Sequence, residues 1–156
     1  MIGYRTRRDA QSAEQRLFNH VLIATAATIF FDALQWFLDG NSDMRGLLVV
    51  STYLYYWLNT AVPLVWLVYC DYKIMGSTIG LKRRLRFYIV PFAVTTVALA
   101  SNLWTGAVFV FDAESCYQRG SLFLPYSFVS YFPAFIALVL IVRHFRIVRE
   151  DAERRE

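Results

Sequence analysis

Four long apolar stretches separated by tight clusters of charge constrain this chain more than any other feature. They cover residues 17–38, 47–70, 87–111 and 122–142. Each has roughly the 20 residues that an α-helix needs to cross the hydrocarbon core of a bilayer. A soluble domain would scatter its charges over its whole surface; here 57% of the residues are hydrophobic and only 18% are charged, against roughly 25% in an average globular domain. Disorder and a disulfide scaffold are excluded by the same composition, which holds only 2 Cys. Every backbone polar group in hydrocarbon must find an internal partner, and none of the stretches alternates with the period of two that a membrane barrel requires. The expected fold class is therefore an all-α membrane protein with four transmembrane helices.

The basic residues fix the expected orientation. Arg5, Arg7, Arg8 and Arg16 precede the first stretch; Lys73, Lys82, Arg83, Arg84 and Arg86 fall between the second and third; Arg143, Arg146, Arg149, Arg154 and Arg155 follow the fourth. Only Arg45 and Arg119 lie on the other side, together with Asp39, Asp43, Asp112 and Glu114. By the positive-inside rule both termini and the 71–86 connection are cytoplasmic. The net charge of +4 is then attraction to the anionic inner leaflet rather than a nucleic-acid footprint, and no nucleic-acid partner is expected. The expected organisation is a cytoplasmic basic arm (1–16), a four-helix transmembrane domain (17–142) and a cytoplasmic helical extension (143–156). The first crossing is too long for a signal-peptide core and has no A-x-A-like site after it, so it is expected to remain in the protein.

The connection Asp39-Gly40-Asn41-Ser42-Asp43-Met44-Arg45-Gly46 is polar and turn-rich, which predicts that the first two helices form one antiparallel hairpin. The third and fourth form another around residues 112–121. Tyr56 precedes Pro63 by the same spacing as Tyr126 precedes Pro133, a weak echo that would fit a parallel repeat or coincidence. Pro63, Pro91 and Pro133 fall inside helices and invite kinks. Cys70 and Cys116 fall on opposite sides of the membrane, so no disulfide joins them.

Asp32 is the one carboxylate placed well inside a predicted crossing, at a cost of about 2.5–3.5 kcal/mol near a bilayer centre. Asp32, Gln35, Trp36 and Asp39 stand at i, i+3, i+4 and i+7, hence on one helix face. That face makes a polar stripe descending from the outer mouth and suits a pocket for a small ligand or cation. The plainer alternative is an Asp that bonds a neighbouring Tyr or Asn and helps pack the helices. Asn59 and Asn102 can likewise bond between helices or meet a ligand. Tyr53, Tyr55, Tyr56 and Trp57 read as an interfacial aromatic belt more readily than as a ligand cage. His20 and His144 have no third ligand nearby, and neither a nucleophile motif nor a phosphate loop occurs, so no metal, cofactor or catalytic site is expected. Running from the end of the fourth stretch into the extension, Ile141, Phe145, Val148 and Ala152 follow 4-3-4 spacing, a short seam that can begin a coiled coil and a homodimer.

The order Phe31-Asp32-Ala33-Leu34-Gln35-Trp36 with Asp39-Gly40, then Pro91 and Asn102, then Phe111-Asp112 and Tyr117-Gln118-Arg119-Gly120 resembles the multi-spanning input region of Gram-positive GGDEF diguanylate cyclases and some related sensor histidine kinases. The resemblance covers about 17–148 and rests on short motifs. It implies a sensory module in a bacterial cell membrane whose catalytic output, with its GGDEF motif, lies outside these 156 residues. Asp32, Gln35, Trp36, Asp39, Tyr56, Asn59, Asn102, Tyr117 and Arg119 are the candidate ligand-binding residues, reached from outside. Motion would pass inward through residues 143–156 to a cytoplasmic partner. Two alternatives stand beside this reading: a small transporter or channel subunit using Asp32 as its coupling carboxylate, and a structural membrane partner without a ligand.

Overall fold

A computed structural model describes the backbone of residues 2–76 and 78–153, and side-chain surroundings for 13–76 and 80–148. The elements are α1 (Ile2–Leu38), a 3₁₀ turn (Ser42–Met44), α2 (Arg45–Met75), α3 (Thr78–Thr105), β1 (Phe109–Phe111), β2 (Tyr117–Arg119) and α4 (Phe123–Glu153). Four helical segments are long and apolar enough to cross a membrane: Ala13–Leu38, Ser42–Met75, Gly80–Thr105 and Phe123–Val148. Their outward surface is apolar, with Phe30, Phe37, Val97, Trp104, Leu124 and Phe128 all exposed, as expected where lipid rather than water is the solvent.

α2 is the hub. It packs against α1, α3 and α4, and α3 also packs against α4. The α2–α4 seam explains why a Tyr and a Pro recur at the same spacing. Tyr56, Thr60, Pro63 and Leu67 on α2 are buried, and so are Tyr126, Ser130, Pro133 and Ala137 on α4. The equivalent positions meet: Thr60 Oγ1 lies 3.0 Å from the Tyr126 hydroxyl and 3.1 Å from Ser130 Oγ, and Tyr126 donates to the Tyr56 carbonyl at 3.1 Å. Small hydroxyl residues let the helices approach and satisfy one another's polar atoms. Below them Leu67, Cys70, Tyr88 and Ala137 form an apolar cluster that fills the other end of the bundle.

Two local expectations need correction. The third apolar stretch, taken as helical through residue 111, stops being helix at Thr105. Gly106 takes a left-handed φ of 60°, donates its N–H to the Asn102 carbonyl at 3.0 Å, and the chain turns into β1. Apolarity continued past the helix end because Val108 and Phe109 are buried in a loop core, a condition that hydropathy does not separate from a membrane span.

The 71–86 connection is helical on both sides rather than a long loop: Gly76 caps α2 by donating to the Tyr72 carbonyl at 2.9 Å, and α3 starts at Thr78. Within that connection Asp71, read as the start of a loop, lies on α2 four residues from its end and is fully buried, paired through its Oδ2 with Arg84 Nε at 2.9 Å. At the same end Lys73 pairs with Glu14, tying α2 to α1. α1 begins at Ile2, so the backbone of the basic arm is helical and continuous with the first span. The seam residues Ile141, Phe145 and Val148 lie on α4, the last two exposed; the Ala152 side chain and the segment 154–156 fall outside the described residues.

Candidate functional site

The site begins with a hairpin that the sequence concealed. β1 and β2 pair antiparallel, with Phe109 opposite Arg119, Val110 opposite Gln118 and Phe111 opposite Tyr117. Strand alternation sends Phe109, Phe111, Tyr117 and Arg119 to one face and Val110 and Gln118 to the other. Val110 and Gln118 are accordingly exposed, while Phe109 is buried against Tyr56 with ring centroids 5.0 Å apart and planes 10° from parallel.

Three helices hold this hairpin. The Asn102 side chain accepts the Val108 N–H at 2.7 Å and the Phe109 N–H at 3.3 Å, and donates to the Phe109 carbonyl at 3.0 Å and the Tyr53 hydroxyl at 3.2 Å. From the end of α1, Asp39 Oδ1 accepts the Tyr117 N–H at 2.8 Å and the Gly40 N–H reaches the Ser115 carbonyl at 3.2 Å. From the start of α2, Arg45 donates to the Asp112 carbonyl at 2.9 Å and to that of Phe111 at 3.4 Å. Asp112 builds the turn between the strands, its Oδ1 accepting the N–H groups of Glu114 at 3.0 Å and Cys116 at 2.8 Å. Gly120 closes the hairpin so tightly that a Cβ there would lie 2.2 Å from the Ala107 carbonyl oxygen.

Beneath the hairpin lies a cavity of about 370 Å³, at the low end of the roughly 300–1,000 Å³ spanned by small-molecule sites. α1 contributes Asp32, Gln35 and Trp36, and the turn after it Asp39; α2 contributes Leu48, Thr52, Tyr55, Tyr56 and Asn59; β2 contributes Tyr117 and Arg119; α4 contributes Phe123, Tyr126, Ser127 and Tyr131. Eight of the nine candidate residues read from the sequence thus line one cavity. The ninth, Asn102, does not; all its side-chain bonds position the hairpin and meet Tyr53.

The polar atoms within the cavity are partly committed to one another. Gln35 Nε2 donates to Asp32 Oδ1 at 3.0 Å, Asn59 pairs with the Tyr131 hydroxyl at 3.3 Å, and the hydroxyls of Tyr56 and Tyr117 bond directly. Arg119 sits over the Phe123 ring, 4.6 Å from its centroid. Burial raises the Tyr117 phenol above its ordinary value, against the opposing influence of Tyr56 and Arg119, so it stays neutral at physiological pH. Partial burial, followed by the carboxylates of Asp112, Asp39 and Glu114, raises the Cys116 thiol as well. Among the described residues no three His, Cys, Asp or Glu side chains are grouped to hold a metal ion.

Tyr56 does not belong to an interfacial belt: it is buried at the centre of the aromatic cluster, while Trp57 is exposed. Tyr55, read first as part of a belt, lines the cavity, and most of the other lining residues that escaped the sequence reading fall in two patterns. Thr52, Tyr55, Tyr56 and Asn59 stand at i, i+3, i+4 and i+7 on α2, the same spacing as the α1 stripe. Phe123, Tyr126 and Ser127 repeat its first steps on α4. No family model matches the chain, and no curated protein or solved structure matches it.

Proposed function

We propose that the chain is a membrane-embedded sensory module in which the roofed cavity receives a small molecule and α4 carries the response across the bilayer. The observation that carries this reading is the cavity itself. It is assembled from α1, α2, β2 and α4, so its occupant would touch two of the three helices that hold the roof, the roof itself and the helix that leads away from it. One of those elements is α4, which supplies Tyr126, Ser127 and Tyr131 to the cavity and then continues as helix to Glu153. Passage of a substrate is less well served, because the centre beyond Thr60 and Ser130 is filled by Pro63, Leu67 and Ala137.

In this proposal the helices form two antiparallel hairpins in a bacterial cell membrane, with the cavity outside and both termini in the cytoplasm. The division of Lys and Arg between the two ends supports that orientation. The seam of Ile141, Phe145, Val148 and Ala152 begins a contact between two copies and hands motion to a cytoplasmic output, as the resemblance to GGDEF-associated input regions implies. The chain itself does no catalysis and works without a cofactor.

A chimera carrying a diguanylate cyclase domain after Glu156, expressed in cells lacking other cyclic di-GMP synthesis, tests the reading. Tyr56→Phe and Asp32→Asn should shift cyclic di-GMP several-fold, whereas Val97→Leu on the lipid-facing surface should not. Output that is the same in the cavity variants and the lipid-facing variant would contradict it.

A further inference from the structure

We infer that the cavity recognises a small organic monocation, a protonated amine or quaternary ammonium on an aromatic-sized body, with Asp32 as its counter-ion. The inference rests on the reading of the cavity as a ligand site and adds the chemistry of the ligand.

Two carboxylates, Asp32 and Asp39, line the cavity against a single guanidinium, Arg119. The three are not equivalent. Asp39 already holds the Tyr117 N–H, and Arg119 is stacked on Phe123, with no ion pair from it to either carboxylate among the described residues. Asp32 lies deepest, within the span Ala13–Leu38, and its one hydrogen bond among the described residues comes from the neutral amide of Gln35. A carboxylate at that depth is costly unless a positive charge faces it. The described residues supply none beside it, and the cavity opens in front of it. Compare Asp71, a fully buried carboxylate at the opposite end of the bundle, which has Arg84.

The walls suit the same guest. Trp36, Tyr55 and Tyr131 line the same cavity as Asp32, and aromatic rings and hydroxyl oxygens are both groups that attract a cation. A volume of about 370 Å³ is far more than a bare metal ion fills, and no group of three metal-ligating side chains stands among the described residues. A body of the size of one aromatic ring with its amine fits both the volume and the charge.

The test uses the full chain purified in detergent and probes of matched size: 2-phenylethylammonium and benzyltrimethylammonium as cations, 2-phenylethanol as the neutral partner and phenylacetate as the anion. Quenching of tryptophan fluorescence, to which Trp36 contributes from the cavity wall, reads binding. At least one cation should bind saturably with a Kd at least tenfold below those of the alcohol and the anion, and Asp32→Asn should abolish that preference. Asp43→Asn, an exposed acid that does not line the cavity, should leave it intact. The wild-type ranking alone decides the matter if Asp32→Asn fails to fold. Saturable binding of the alcohol or of phenylacetate as tight as that of the cations would overturn the cation while leaving the ligand site standing. Absence of saturable binding for every probe up to about 10 mM would overturn both.

Discussion

Asn102 offers the sharpest energetic test, because one side chain holds up the roof of the cavity. It is 4% exposed, and Asn102→Ala deletes its bonds to Val108, Phe109 and Tyr53 at a stroke. Val108 is 1% exposed and Phe109 3%, so their freed N–H and carbonyl groups have little access to water. Each buried group left without a partner costs about 1–3 kcal/mol, and the three main-chain groups freed here give at least about 3 kcal/mol together. For a chain of this size that corresponds to a fall in Tm of about 6–12 °C. The assay is a thermal ramp in detergent with a thiol-reactive dye, since Cys70 is a free, buried cysteine that becomes reactive on unfolding. The control is Gln118→Ala, whose exposed bond to Asp112 Oδ2 at 3.2 Å predicts a change below about 0.5 kcal/mol. Hydrogen exchange at Val108 should accelerate in Asn102→Ala alone. If Asn102→Ala melts with the wild type and Val108 stays protected, the hairpin is held by something else and the account of the roof is wrong.

Further consequences are equally specific. Gly120→Ala places a methyl 2.2 Å from the Ala107 carbonyl oxygen, so it should destabilise the hairpin and weaken any cavity ligand at least tenfold; unchanged binding and Tm would refute the tight closure. Arg84→Met leaves Asp71 buried without its partner and should cost about 2–4 kcal/mol, somewhat less than a fully enclosed pair because Arg84 is 35% exposed. Asp71→Leu combined with Arg84→Met should recover much of that loss, and a double variant no better than the single would argue against an uncompensated charge as its cause. Cys116 should react with iodoacetamide more slowly than a free cysteine at pH 8. Because its thiol is raised, its rate should go on climbing with pH where a free cysteine has levelled off, and a coincident profile would refute the influence of burial and the nearby carboxylates.

The sequence disclosed the site more readily than the fold's details, for physical reasons. The Asp32 stripe is legible because helical spacing alone places Asp32, Gln35, Trp36 and Asp39 on one face, and a carboxylate in an apolar run stands out. Tyr117 and Arg119 were found through their motif, while the strand pair that delivers them was invisible: three-residue strands are too short to show alternation, and the apolar run through residue 111 looked like more helix. Asp71 was missed because it borders a basic cluster and read as the start of a loop; its burial depends on Arg84, a residue from the next helix. Asn102 was recognised as a polar residue able to bond between helices, but its backbone partners six and seven residues downstream only meet it once Gly106 turns the chain.

All of this depends on the cavity and the far end of α2 facing opposite sides of a membrane. Single cysteines at Ser42 and Met75, both exposed, in a background with Cys70 and Cys116 replaced, test that directly. In intact cells an impermeant maleimide should label position 42 and spare position 75, which should become reactive only after the membrane is opened. Labelling of both positions in intact cells, or of position 75 alone, would contradict the account.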